Sequence, residues 1–181
     1  DRFIVMYTQI LTDIPGFHRD LEQYEIYNGR KPFVEVKDII TSRYHAFRDT
    51  GYVFECSFLQ NLTEDLILFH EKSDEEILEL YRELFECFTK EHFRLLYLYS
   101  EAIEENIRII SKERSDTNGT PLWLPMMLDY FKMSPYALHR KLEGFDALIS
   151  HFKHRQELEL RIVKEIVGEY GIVLHSKEWT R

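Results

Sequence analysis

The sequence contains few residues that break helices and few that could cross-link a small fold. It has seven glycines, five prolines and two cysteines in 181 residues. A chain so poor in turn-forming residues is typical of a mostly helical protein, and two cysteines do not make a disulfide framework. Apolar runs of about 18 residues, which a membrane-spanning helix requires, are also lacking. We therefore expect a helical cytoplasmic protein that does not bind membranes.

Basic residues are in deficit as well. There are 23 Lys and Arg against 32 Asp and Glu, so the formal net charge is -9. Because a phosphate backbone attracts clustered cations, this balance argues against broad non-specific binding of nucleic acids, although a small basic patch would still be compatible with it. Apolar residues make up 44% of the chain, enough for one ordinary core. We expect a single domain over residues 1–181.

The stretch from Ser73 to Ser115 predicts the longest helix. Ser73 and Glu76 form a Ser-x-x-Glu capping box, which marks a helix start. Beyond it, apolar residues recur at intervals of three, four or seven as far as Ile110, and the next glycine is Gly119. This periodicity favours an unbroken central helix over residues 74–115.

Two further long segments, 33–72 and 145–170, show the same helical spacing of apolar residues. Gly51 leaves open whether the first of them is broken. Shorter helices are predicted between the breaks of the chain, over residues 2–11, 17–27, 125–131 and a segment that Ser134 and Pro135 start and Gly144 ends. The sequence therefore predicts an all-α helical bundle of about five to seven helices, two or three of them long and antiparallel.

Two features of the bundle leave alternatives open. In an antiparallel hairpin around Ser73, Cys56 and Cys87 would lie at similar heights, so they either pair or remain buried free thiols. Aromatic residues also recur on the predicted long helices, and they could line a cavity for a small apolar ligand, form an ordinary core, or be exposed as a dimer or partner surface. The candidate ligand-binding residues are Phe54, Phe58, Tyr81, Phe85 and Phe88.

The stretch from Met127 to Leu142 has an apolar pair, a turn with Met133 and Ser134, and then Leu138 and Arg140 on a second helix. It resembles the first helix-turn-helix of AraC-type transcription regulators. In that family the second helix enters the major groove of DNA, and its polar side chains contact base edges. The resemblance would assign DNA contacts to Tyr136, His139, Arg140 and Lys141. A plain corner between two packed helices would give the same pattern.

A metal site is the third possibility that the sequence raises. The chain has eight histidines but no Glu-x-x-His pair of the kind that builds di-iron bundles. His151 and His154 would share one helix face, where flanking Lys153 and Arg155 favour a solvated polar surface over a ligand pair. No glycine loop for phosphates and no nucleophile motif occurs, so nothing in the sequence supports an enzyme, and we predict no cofactor.

From these patterns we expect a non-enzymatic regulatory or interaction domain. It would bind a protein partner or a small apolar ligand, and it would form a homo-oligomer. The alternative is a DNA-binding transcription regulator that uses residues 127–142, and the third possibility is a metal-binding helical bundle.

Overall fold

A computed structural model describes residues 10–22 and 24–176. The elements in this part of the chain are α1 (Phe17–Glu22), α2 (Phe33–Ala46), α3 (Gln60–Leu68), α4 (Asp74–Phe85), β1 (Leu95–Tyr99), α5 (Ile103–Glu113), α6 (Trp123–Lys132), α7 (Pro135–Arg140), α8 (Gly144–Ile162) and β2 (Gly171–His175). The prediction of a mostly helical protein is confirmed. The all-α class is wrong because β1 and β2 form a parallel sheet, and the eight α-helices exceed the five to seven that were predicted. The antiparallel arrangement of the long helices stays a prediction.

Helix α4 begins at the predicted capping box. Ser73 Oγ accepts a hydrogen bond from the Glu76 backbone N–H, and a Glu76 carboxylate oxygen accepts from the Ser73 backbone N–H at 2.9 Å. Glu76 also accepts from Lys72, which together with the Ser73 hydrogen bonds lowers the pKa of Glu76 to about 2. An ionised carboxylate in the first turn suits the positive end of the helix dipole.

The unbroken helix predicted over residues 74–115 is wrong. Helix α4 ends at Phe85, a 3₁₀ turn follows at Lys90–His92, and Leu95–Tyr99 forms strand β1 before α5 begins. The run Leu-Leu-Tyr-Leu-Tyr pairs in register with β2, from Leu95 opposite Gly171 to Tyr99 opposite His175. This pairing with a distant segment decides the conformation, because strand formation depends on tertiary context more than on local preference.

The segment predicted over residues 33–72 is also broken. Helix α2 ends at Ala46 and α3 begins at Gln60. Gly51 has a φ of 81° between them, a conformation that a glycine adopts without steric cost. Cys56 lies in the same connection, and both Cys56 and Cys87 are free thiols.

The last predicted long helix agrees best with the structure. Helix α8 is 19 residues long, and a π-helix at Val163–Val167 continues it. Ser134 caps α7 with Pro135 in its first turn, as predicted. Gly144 does not end α7 but begins α8, because α7 already ends at Lys141 in a left-handed conformation.

Strands β1 and β2 run parallel, so α5 to α8 form the connection between them. Parallel neighbours always need such a long crossover. One face of the sheet packs near the π-helix: a Cβ added at Gly171 would lie 2.8 Å from Val163 Cγ1. A side chain at Gly171 would therefore push β2 away from the helical layer.

The core lies among α3, α4, α6 and α8. At its centre the fully buried Tyr81 hydroxyl donates to the Phe58 carbonyl oxygen at 2.8 Å and lies 2.8 Å from Thr63 Oγ1. Both hydroxyls are therefore satisfied away from water. The largest side chains that are fully buried belong to Tyr81, Phe131, Leu62, Leu66, Ile67, Leu68, Ile77, Leu78, Leu84, Leu148, Leu158 and Ile162.

The helix predicted over residues 2–11 falls almost entirely outside the described residues, and the one predicted over 17–27 is shorter, ending at Glu22. Among the described residues, no helix combines the length and the apolar character that crossing a membrane would require.

Candidate functional site

Four of the five predicted ligand-binding aromatic residues come together in the structure. Phe58, Tyr81 and Phe85 are buried, and the ring centroid of Phe58 lies 5.3 Å from that of Tyr81 and 5.6 Å from that of Phe88. The rings of Phe58, Phe85 and Phe88 all contact the ring of Phe93, as in a packed aromatic core. Phe54 is apart from them: it is 48% exposed and packs against Phe47 and Tyr52. Ligand binding by this set stays a prediction.

The predicted helix-turn-helix segment forms a corner between α6 and α7. Phe131, Ser134 and Ala137 are fully buried there. The Ser134 hydroxyl donates to the Phe131 carbonyl oxygen at 2.7 Å and accepts from the Ala137 backbone N–H at 3.2 Å. These contacts fix the angle between the two helices.

The polar residues of α7 are engaged within the chain. His139 and Arg140 both contact Glu71, at 2.7 and 2.6 Å, and the Arg140 guanidinium lies 4.2 Å from the Tyr136 ring centre. Lys141 ends the helix. Helix α7 has six residues and is about 9 Å long. DNA contacts by these residues stay a prediction.

The histidines that could have ligated a metal have carboxylate partners instead. His151 is only 3% exposed, so the expectation that it belongs to a solvated surface is wrong. Its Nε2 lies 2.9 Å from Glu64 Oε2, and His154 Nε2 lies 2.8 Å from Asp74 Oδ1. In the part of the chain that the structure describes, no three His, Cys, Asp or Glu side chains are grouped to hold a metal ion.

Glu64 and His151 belong to a larger set of polar side chains inside the protein, which we call the buried charge network. Arg155 donates to Glu64 Oε2 at 2.7 Å, and its Nε lies 3.5 Å from Glu159 Oε1. The Tyr97 hydroxyl donates to Glu159 Oε2 at 2.7 Å. Helix α3, helix α8 and strand β1 are thereby joined through charged and polar groups.

The local sequence explains how α8 contributes to the network. His151, Arg155 and Glu159 follow one another at intervals of four, so they share one face of the helix. This His-x3-Arg-x3-Glu pattern is visible in the sequence. Its partners Glu64 and Tyr97 are not, because no local pattern connects residues that lie so far apart in the chain.

The two glutamates of the network have opposite titration properties. Burial disfavours the charge of Glu64, but hydrogen bonds from His151 and Arg155 and the charge of Arg155 outweigh burial and lower the pKa of Glu64. Burial raises the pKa of Glu159, and the attraction of Arg155 offsets only part of that effect. Burial and the nearby Glu159 also raise the pKa of Tyr97. Glu64 is therefore the firmly ionised carboxylate of the network.

Glu64 also lies in the wall of a cavity of about 740 Å³. The cavity is bounded by α1, the loop at residues 24–28, α2, α3 and α6. Its lining residues are Ile10, Phe17, Leu21, Tyr24, Glu25, Ile26, Tyr27, Asn28, Arg43, Asn61, Glu64 and Tyr130. The charged core is thus connected to a space large enough for a small molecule.

Hydrogen bonds hold the loop of this cavity in place. The Tyr130 hydroxyl donates to Asn28 Oδ1 at 2.8 Å, and the Gly29 backbone N–H donates to Asp65 Oδ1 at 3.2 Å. Asp65 is buried, and its other oxygen lies 3.0 Å from His70 Nε2. The loop is therefore tied to both α6 and α3, the helices that supply Tyr130 and Glu64 to the wall.

The chemistry of the wall is mixed. Aromatic rings from Phe17, Tyr24, Tyr27 and Tyr130 provide apolar surface, and Glu64 supplies an ionised acceptor. None of the five aromatic residues predicted to bind a ligand lines this cavity. The chain matches no protein-family model, no curated protein and no solved structure.

Proposed function

We propose that the protein is a non-enzymatic binding domain whose site is the cavity beside Glu64. The observation that carries this proposal is the position of Glu64, which belongs both to the buried charge network and to the cavity wall. A firmly ionised carboxylate in a largely apolar wall is an orienting group for a ligand, since a few placed polar groups give such sites their specificity.

The ligand class follows from the wall. Tyrosine and phenylalanine rings favour a small flat molecule, because aromatic faces stack on planar groups. His151 and Arg155 both contact Glu64 at Oε2, so Oε1 is the oxygen to which a ligand N–H would donate. We therefore expect a mostly apolar, planar compound with at least one N–H donor.

The position of the cavity between several helices favours a regulatory role for the domain. A ligand in this cavity would contact α1, α2, α3 and α6 together, so its binding would stabilise their relative positions. Such a ligand-dependent arrangement of helices fits a regulatory role. We place the protein in the cytoplasm, with a protein partner or a second copy as its macromolecular contact. The rival proposal of a helix-turn-helix DNA-binding regulator is less favoured, because Glu71 already pairs with His139 and Arg140.

The test begins with native mass spectrometry of the purified protein, which would reveal a bound molecule as extra mass that disappears on denaturation. Ligand-observed NMR then compares flat aromatic amines with matched aromatic compounds that lack an N–H group. We expect the amines to bind and the matched compounds to bind more weakly, because only the amines can donate to Glu64.

Single-residue variants show whether the amines bind in this cavity. Tyr24 is a wall residue that is 72% exposed, so Tyr24→Ala should remove ligand contacts without disturbing the core. Tyr52→Ala is the matched control, since Tyr52 is 53% exposed and does not line the cavity. Weaker amine binding in Tyr24→Ala alone supports the proposal. Equal binding in both variants, or no binding by any amine, contradicts it.

A further inference from the structure

Strands β1 and β2 have the composition of strands that are covered on both faces. Their sequences, Leu-Leu-Tyr-Leu-Tyr and Gly-Ile-Val-Leu-His, carry apolar residues at consecutive positions rather than alternating apolar and polar ones. Such continuous apolar runs are typical of parallel sheets, which are buried on both sides in almost all known cases.

Within β1, the described part of the chain covers one side more than the other. Leu95, Tyr97 and Tyr99 point toward the helical layer and are partly buried, whereas Leu96 and Leu98 between them are each 58% exposed. Ile172 of β2, which is opposite Leu96, is 52% exposed. These three aliphatic side chains form an outer face, and a two-stranded sheet with an exposed apolar face is marginal by itself.

The edge of β1 away from β2 is also unpaired among the described residues: the sheet has two strands, in the order β1–β2. An edge strand presents backbone N–H and C=O groups that another extended chain can pair with. A covering helix would leave those backbone groups unpaired. We therefore expect another strand to pair with this edge of β1.

We propose that a second copy of this chain binds here, with its own β1 antiparallel to the first. If Tyr97 is opposite Tyr97 of the second copy, Leu96 is opposite Leu98 of the second copy, and both belong to the outer face. The arrangement is its own complement, as the interface of a two-fold dimer must be. It creates one sheet of four strands, β2–β1–β1–β2, in which Leu96 and Leu98 of the two copies shield part of each other's surface on the outer face.

The charges at the two ends of β1 select this occupant and its direction. Arg94 directly precedes the strand, after Lys90, which pairs with Glu86, and Glu91, whereas Glu101, Glu104 and Glu105 follow it. In the antiparallel register, Arg94 of each copy lies opposite Ser100 and beside the oppositely charged Glu101 of the second copy. Parallel pairing of two copies would bring like charges together, which disfavours it.

Sedimentation velocity of the full chain at several protein concentrations tests this dimer. We expect a concentration-dependent dimer, and Leu96→Asp should weaken dimerisation about 30-fold or more as a central interface residue. Leu122→Asp is the matched control, because Leu122 is 59% exposed and lies far from β1 in the chain. Circular dichroism of both variants checks that the helices remain.

A charge exchange identifies the register. Arg94→Glu and Glu101→Arg should each weaken the dimer through repulsion, and the double variant should restore it, because the opposite charges again meet. A monomer at all concentrations, a dimer that Leu96→Asp leaves intact, or a double variant no better than the single variants would overturn the proposal. So would occupation of the edge by a strand of a different protein.

Discussion

Arg155 of α8 lies between two glutamates, 2.7 Å from Glu64 Oε2 and 3.5 Å from Glu159 Oε1. One guanidinium therefore interacts with two buried carboxylates, and its contact with Glu64 is the shorter of the two. Burial disfavours both charges, but the hydrogen bond from His151 and the short contact with Arg155 still lower the pKa of Glu64, whereas burial keeps the pKa of Glu159 raised. The stability of the interior depends on this uneven sharing of charge.

Removal of Glu64 should be severely destabilising. Glu64→Ala leaves Arg155 and His151 buried without their carboxylate, and breaking a buried pair in this way costs about 3–5 kcal/mol. Urea unfolding followed by circular dichroism measures the change in the free energy of unfolding. Glu75→Ala is the control: the Glu75 side chain is 78% exposed, so its loss should change stability by less than about 1 kcal/mol. Equal effects of the two variants would show that the network is not a structural requirement.

The pH dependence of stability should separate the two glutamates. Because the pKa of Glu159 is raised above 4.5 by folding, its contribution is fully present below that value and is lost as the pH rises through the folded pKa. Wild type should therefore lose stability relative to Glu159→Gln when the pH is raised from 4.5 to 7.

Glu64→Gln gives the opposite sign. The pKa of Glu64 is lowered by folding, so its contribution is present above 4.5 and is lost as the pH falls through the folded pKa. Wild type should lose its advantage over Glu64→Gln on acidification below 4.5. Urea unfolding over this pH range measures both differences, and the same sign for both variants would contradict the assignment of the two carboxylates.

Lys141→Gly should stabilise the protein. Lys141 ends α7 with a φ of 55°, a left-handed conformation that glycine adopts without steric cost and that favours glycine after a helix. We expect a gain of about 0.5–1 kcal/mol, measured as a rise in the thermal midpoint.

Lys153→Gly provides the contrast, because Lys153 is an exposed residue inside α8. Glycine in a helix interior costs about 1 kcal/mol, so the thermal midpoint of this variant should fall. If Lys141→Gly also lowered the midpoint, the Lys141 side chain would be contributing more than its backbone conformation costs.

Local signals in the sequence predicted local structure well. The Ser73 capping box and the Ser134–Pro135 start of α7 are both present, because each depends on hydrogen bonds within a single helical turn. Helix α8 was also recognisable, since its apolar spacing continues over many residues.

Features that depend on distant partners were not predictable in the same way. The apolar residues of Leu95–Tyr99 fit helical spacing within the longer segment, and only pairing with Gly171–His175 makes them a strand. The sequence around Glu64 does not indicate its place in the buried charge network, because its partners His151 and Arg155 come from another helix. The cavity depends on the same kind of information, since its wall combines residues as far apart in the chain as Ile10 and Tyr130.

The parallel pairing of β1 with β2 also has a consequence for how the protein is made. During synthesis, β1 leaves the ribosome before α5, α6, α7 and α8, and its only described strand partner follows all of them. The long loop between the strands makes their pairing a slow, late step of folding. Until β2 emerges, Leu95–Tyr99 is an unpaired apolar strand, so a nascent chain stalled within α8 should be the form most prone to aggregation and to chaperone binding.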